Sequence, residues 1–538
     1  MPGSLRPVAV LGVGAAAPSL RLRAADAAAA WGAGGGSGTV ALCDSDEDTL
    51  TLAWQAATDA LAAAGVAASE VSGLWWGTAR PPFAEGPSHA FLTAALGIDA
   101  RGSGGLSAGS THAGMEALCA AWDALAAGHA QVALVVASDA LVPGVGTAVE
   151  TTTGAGAVAL VLGAPPDIAA DDAGAPAASS SARAASPNGS APPARLVARA
   201  TRAAPVLDRY RADTDAATGD VYDARLFREE VFVPLLVSAG AAITGDAGPG
   251  TAIEGWAVAD PDGRLGAAVA KRLSKPLVGG GAYKLVGDTG SGAALLALVL
   301  GTAEGEPTPV RCVGAIGYGG GRATAVVVEV AHAVPGAQAC AAVLSGGRQV
   351  TYTDALKARG QLAAMVDPIA MGVPPAGAAF VRGNVEMLGF EGAKCRACGV
   401  ISTPPSIHPH CIGCGGTELD VVRLVRHGSV QTFVVNQTMP PPFQAPLPLV
   451  VLDLDDGARL MVQGSPADAD ELAVGDRVTL VLKRYALERG VPVYGYKALR
   501  ADPAAPTSGP GPQESATQES ATQGSATLDA GSTQGGRT

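Results

Sequence analysis

The residues best placed to do chemistry are four cysteines. Cys395-Arg-Ala-Cys398 is followed, after twelve intervening residues, by Cys411-Ile-Gly-Cys414. Two such knuckles can bring four thiolates around one ion, each supplying a pair of sulfurs from a tight turn that Gly399, Gly413, Gly415 and Gly416 permit. Four cysteines close every position on a tetrahedral metal, so the expected ion is a structural zinc and not a catalytic one. Tetrahedral all-sulfur iron has the same geometry, and four free or disulfide-bonded cysteines are the bland alternative. His408 and His410 flank the third cysteine, but the shell is complete without them.

A second candidate lies upstream, at Ser110-Thr111-His112, where a glycine-flanked turn opens a helical pattern. Adjacent hydroxyls and an imidazole could be a rebuilt nucleophile–base pair, although neighbours at a helix start do not face each other. Asp288 could orient a base. His89 and His129 read as surface or helix-end residues, and Cys119 and Cys312 as small core hydrophobes. The glycine run 317–321 lacks the spacing and the following Lys-Ser/Thr of a phosphate loop.

These residues must be held by a large body. The chain has 538 residues, 48% hydrophobic but only 4% aromatic, with 72 glycines, so Ala/Val/Leu layers should pack closely in more than one domain. A net charge of −13 disfavours nucleic acid and anionic membrane surfaces as partners. No apolar run is long enough for export or for spanning a membrane, and scattered cysteines fit a reducing cytoplasm. Buried-strand patterns at 7–14, 72–82, 132–140 and 154–163 alternate with helical ones, the acidic run Asp44–Asp48 opening a helix that Gly65 stops. After a Pro/Ala/Ser-rich stretch the order repeats: helix 225–244, strand 252–259, helices 263–273 and 289–301, strands 310–321 and 323–331. This predicts a duplicated, layered α/β fold. Beyond the cysteines, alternating strands with glycine turns predict a small barrel of the OB type. The expected divisions are 1–164 and 195–365 for the two halves, 165–194 as a disordered insertion, 380–418 as the ribbon, 419–502 as the barrel and 503–538 as a disordered tail carrying QESAT repeats.

At these residues the chain resembles two families. Residues 5–360 resemble the thiolase superfamily, in the bacterial and archaeal HMG-CoA synthase branch, through DSDEDTLTLAWQAATDAL (44–61), WWGTARPPFAEGP (75–87), AGSTHAGMEALCAA (108–121), LVVASDA (134–140), VGDTGSGAALLAL (286–298), IGYGGGRATA (316–325) and VTYTDALKARG (350–360). Residues 380–500 resemble the acyl-CoA-associated zinc-ribbon/OB-fold proteins that accompany such enzymes, through CRACGVISTPPSIHPHCIGCGG and GSVQTFVVNQTMPPPF. The resemblance implies a duplicated five-layer thiolase-like sandwich, followed by a rubredoxin-like zinc ribbon and an OB barrel. It further implies a homodimer, coenzyme A thioesters as ligands, and a thiolase or acyltransferase partner. It places Gly317–Gly321 near the acyl group. The family's catalytic residues do not carry over. The nucleophilic cysteine's place is Thr111, preceded by Ser110; the histidine's is Ala259, the asparagine's Asp288 and the glutamate's Ala79. No histidine occurs between His129 and His332. The expected function is therefore a degenerate synthase-like protein acting as scaffold or acyl-CoA-channelling partner. A condensing acyltransferase using Ser110 or Thr111 is the enzyme alternative, and a thioester sensor a third.

Overall fold

A computed structural model describes residues 6–32, 38–99, 102–163, 192–207, 209–212, 217, 224–246, 252–303, 311–362, 386–439, 445–488 and 491–501. Most of the expected insertion (165–191), the turn at 374–377 and the tail from 503 lie outside them. In chain order the body's strands are β1 (Val8–Ala16), β2 (Leu20–Arg23), β3 (Thr39–Leu42), β4 (Gly73–Thr78), β5 (Ser103–Ala108), β6 (Val132–Ala140), β7 (Ala155–Gly163), β8 (Ala194–Ala203), β9 (Ile253–Val258), β10 (Arg311–Gly319), β11 (Arg322–Val330) and β12 (Arg348–Gln349). Nine of them form one sheet in the order β5-β4-β6-β7-β1-β8-β11-β10-β9.

That order contains the duplication. Outward from the centre, β1-β7-β6-β4 is matched by β8-β11-β10-β9, with two antiparallel pairings and then a parallel one on each side. β5 extends the first half and has no counterpart among the described residues. The halves meet where β1 pairs with β8 over three residue pairs, Val8–Leu196, Ala9–Arg195 and Val10–Ala194.

Strand alternation sorts the side chains into layers. Ala133, Val135 and Ala137 of β6 and Val313 and Ala315 of β10 share a core with the helices Ala113–Ala126 and Ala293–Ala303. Leu134 and Val136 point the other way, onto the helix Thr49–Ala64. In the second half, Ile316 and Val327 face the helix Val233–Asp246. Helix, half-sheet, paired helices, half-sheet, helix: this is the five-layer sandwich. The helix Ala293–Ala303 is buried almost all round, which explains its weak amphipathic pattern. Arg348–Gln349 join a side sheet, β12-β2-β3, so the closing segment is tied back to the first half.

The ribbon follows as β13 (Glu391–Cys395), β14 (Ile401–Ser402) and β15 (Leu419–Arg423), in the order β14-β13-β15. Its third strand, Leu419–Arg423, begins just after residue 418. The barrel consists of β16 (His427–Asn436), β17 (Leu447–Leu454), β18 (Arg459–Gln463), β19 (Arg477–Glu488) and β20 (Val491–Arg500), ordered β18-β17-β16-β19-β20. A bridge between Gly464 and Ala498 nearly closes it.

The barrel is not a separate bead. Its interior residues Val450, Leu452, Leu480, Leu482, Tyr494 and Tyr496 are continuous with Leu50, Ala53, Trp54, Leu92 and Ala95 of the body in one apolar core. The acidic run that sequence assigned to a helix dipole is divided in purpose. Asp48 caps the helix, its Oδ1 accepting from the N–H groups of Leu50 and Thr51 at 3.0 Å each, while Thr51 Oγ1 accepts from Asp48 N at 2.9 Å. Asp46 and Glu47 instead face the barrel: Lys497 Nζ lies 3.0 Å from Asp46 and Lys483 Nζ 2.8 Å from Glu47.

Candidate functional site

The elbow Ser110-Thr111-His112 sits at the start of the helix Ala113–Ala126, against the glycine run that ends β10. The approach is close enough to dictate glycine. A Cβ on Gly319 would lie 2.4 Å from both His112 N and Thr111 Oγ1, and one on Gly114 2.1 Å from the Ser291 carbonyl. The structure does not bring the three candidate groups into a nucleophile–base pair. Thr111 Oγ1 donates to the Tyr318 carbonyl at 2.9 Å, and Ser110 Oγ accepts from the His112 backbone N–H at 3.2 Å. The His112 ring is turned away and buried, with Nδ1 3.2 Å from Glu116 Oε1 and Nε2 2.8 Å from Thr324 Oγ1, which in turn meets Thr201 Oγ1 at 2.9 Å. Burial holds the His112 pKa below its ordinary value, outweighing the pull of Glu116, so the ring is neutral. It braces the elbow against β11 and β8 of the second half. Cys119 is half-buried and Cys312 and Cys340 are buried; burial raises all three thiols.

A buried carboxylate beneath the elbow ties both halves together. Asp139 Oδ1 accepts from Thr78 Oγ1 and Ala79 N at 2.8 Å and from Arg80 N at 3.2 Å, and Oδ2 accepts from Ser291 N at 2.7 Å. Burial pushes its pKa up to about 6 despite these donors. Ala79, which the resemblance sets where the synthases have a glutamate, contributes its backbone N–H to Asp139. Asp288 is engaged by an arginine and a backbone N–H. Its Oδ2 takes Arg209 Nη1 at 2.6 Å and its Oδ1 takes Gly290 N at 3.0 Å. Asp260, beside Ala259, borders a crevice of about 20 Å³ with Leu277, Tyr283 and Thr289, room for about one water.

The four cysteines converge. Their sulfurs all lie within 4.8 Å of one another, with Cys395 and Cys414 at 3.7 Å and Cys398 and Cys411 at 3.4 Å. Gly399 and Gly415 take φ of 75° and 74°, the left-handed turns the knuckles need. Backbone N–H groups of Cys414 and Gly413 aim at Cys411 Sγ and bring its thiol down to about 6, toward the thiolate that a metal takes. This donor set fits a zinc ribbon.

Residues 421–483 match the family model of the ChsH2 C-terminal OB-fold domain. A DUF35 domain-containing scaffold protein of Methanocaldococcus jannaschii is 32% identical over 111 residues, which cover 20% of this chain and 77% of that protein. The chain belongs to the DUF35 domain-containing scaffold proteins. Its DUF35 module is joined here to the α/β body. A hydroxymethylglutaryl-CoA synthase of Pyrococcus horikoshii is 30% identical over 116 residues, 22% of this chain and 33% of the synthase, so the match spans about a third of that relative's length. MvaS in complex with 3-hydroxy-3-methylglutaryl coenzyme A superposes with a TM-score of 0.53 over 69% of this chain and 95% of that one, at 19% identity, which shows the shared fold.

Three groups were not found from sequence: Asp139, Arg209 and the lysine pair Lys483/Lys497. Asp139 stands in the LVVASDA segment that carried the family resemblance, and its place beside a buried Ser in an otherwise apolar strand was the available signal. Arg209 had none.

Proposed function

We propose that this chain is a non-catalytic scaffold subunit that holds a thiolase or other acyl-CoA-handling acyltransferase. The observation that carries the reading is the elbow. The side chain in the nucleophile's place is a threonine whose hydroxyl is committed to the Tyr318 carbonyl, and the neighbouring imidazole is hydrogen-bonded to Glu116 and Thr324. A hydroxyl needs a base within hydrogen-bond reach to attack a thioester. Cys395, Cys398, Cys411 and Cys414 would hold one zinc, whose role is to fix the ribbon's two knuckles and not to touch substrate. A homodimer through the thiolase-like body, action in the cytoplasm and a coenzyme A thioester carried between partners complete the proposal.

The test is intact-protein mass spectrometry after incubation with acetyl-CoA and longer acyl-CoAs, with peptide mapping. An unmodified mass is expected. An acyl adduct on Ser110 or Thr111, lost in Ser110→Ala or Thr111→Ala, would replace the scaffold with a condensing acyltransferase.

A further inference from the structure

The contact between the thiolase-like body and the DUF35 module has the composition of an interface between two proteins. We infer that it is a self-sufficient docking surface, on which the module stays bound to the body without the peptide connection between them, and that the acidic turn Asp46–Asp48 selects a module bearing Lys483, Arg484 and Lys497. The partner this surface fits is a ribbon/OB module with those three basic residues on β19 and β20 and two tyrosines on β20.

Aromatic and arginine anchors sit where the two parts meet. Trp54 of the body, 2% exposed, stacks edge-on against Tyr496 at 5.8 Å, carries Arg426 over its face at 4.8 Å, and donates from Nε1 to the Ala95 carbonyl at 3.3 Å. Phe91 meets Tyr494 edge-on at 6.3 Å. Such residues are the ones that dominate binding energy at interfaces. Arg423 reaches the Ala94 and Ala95 carbonyls at 3.1 and 3.0 Å, closing the C-terminal end of the helix Ser88–Leu96 with a cation.

Around this apolar centre the charges are matched one by one. Besides the Lys497–Asp46 and Lys483–Glu47 pairs, Tyr494 Oη donates to Asp48 Oδ2 at 2.7 Å. Arg484 Nη2 reaches the Ser45 carbonyl at 2.8 Å, and its backbone N donates to the Asp46 carbonyl at 2.8 Å. Glu47 is held from its other side by Ser19 N at 2.9 Å and Ser19 Oγ at 3.0 Å. Lys497 is 3% exposed, and Asp46 and Glu47 5% and 6%. The lysines that neutralise Asp46 and Glu47 thus come from across the contact, and a module without cations there would bury these acids with no opposite charge from its side. A DUF35 scaffold protein and a synthase, two separate proteins, match 20% and 22% of this chain.

The experiment uses the full chain with a specific protease sequence placed between Leu362 and Glu386, cut after folding. The two pieces are expected to co-elute on size exclusion at micromolar concentration. Lys483→Met with Lys497→Met should weaken association about a hundredfold or more, as expected for a broken buried ion pair. Asp46→Asn with Glu47→Gln, which neutralises the other side, should restore much of it in the quadruple variant. Near-native circular dichroism of each uncut variant controls for folding. Separation of the otherwise unaltered pieces after cleavage would overturn the inference, because the tether alone would then be holding them. So would undiminished association of the well-folded double methionine variant, because the charges would then select nothing.

Discussion

Asp139 offers a quantitative test of how the two halves are joined. Its carboxyl is wholly buried and its pKa stands at about 6, against an ordinary 3.8, with burial as the main cause. A carboxyl raised in the folded state binds its proton more tightly there than in the unfolded chain. The stability it confers is complete below the unfolded value and is lost as pH rises through the folded one. Carried through the two titration curves, the shift predicts that Asp139 destabilises the fold by about 2 kcal/mol more at pH 7 than at pH 4.5. Asp139→Asn removes this titration. It retains an oxygen for Thr78, Ala79 and Arg80 but opposes an amide N–H to the Ser291 N–H, at a pH-independent cost of about 1–3 kcal/mol. Denaturant unfolding of both proteins at pH 4.5 and 7 reads the difference, in which other titrating groups cancel. The wild-type advantage over Asp139→Asn should be about 2 kcal/mol larger at pH 4.5. An advantage that is flat across this window, or grows toward pH 7, would refute burial as the controlling effect at this node.

Three further outcomes follow from other contacts. Trp54→Ala should cost about 3–5 kcal/mol, since it opens the core that body and barrel share and removes the stack on Tyr496 and the Arg426 contact, read as a lowered midpoint in urea. Gly319→Ala should disrupt the elbow, because its Cβ would fall 2.4 Å from Thr111 Oγ1 and His112 N; proteolysis within 108–116 should rise sharply, whereas Gly457→Ala, at an open hairpin turn, should leave that segment protected. Metal analysis should return one zinc per chain, and Cys398→Ser should abolish it and lower the thermal midpoint, the ribbon losing the ion its knuckles close around.

Much of this architecture was legible because it is local. The apolar run 132–140 has no alternation to read but is bounded and short, and it is a strand over those same residues. Gly65 was read as a stop and adopts φ of 64° at the helix end. The two CxxC knuckles encode their own turns. The repeat of helix and strand order in the second half is matched in the strand order of the sheet. What could not be read is pairing across distance. His112 faces Thr324, 212 residues away, and not the hydroxyls beside it; Asp288 faces Arg209. The acids at 44–48 carry an adequate local explanation in the helix dipole, and that explanation hides a second use that only the position of β19 and β20 reveals. Local signals report conformation, while the identity of a buried charge's partner is set by topology.

The order in which the ribosome releases this chain gives the body–module contact a temporal side. Asp48 is bonded to Tyr494, 446 residues later, and Asp46 to Lys497, 451 residues later. At about 5–20 residues per second, the helix Thr49–Ala64 waits roughly 20 to 90 seconds between its own synthesis and the emergence of the strands that cover it. Through that interval Trp54 and Leu92 lack the barrel residues that complete their core, and Asp46 and Glu47 lack their lysines. The nascent body is thus a sticky, acidic intermediate whose final covering is made last among the described segments. A ribosome that stalls before β19 leaves a chain with both halves of the sandwich present and the helix Thr49–Ala64 incompletely covered, a natural substrate for holdase chaperones and proteases.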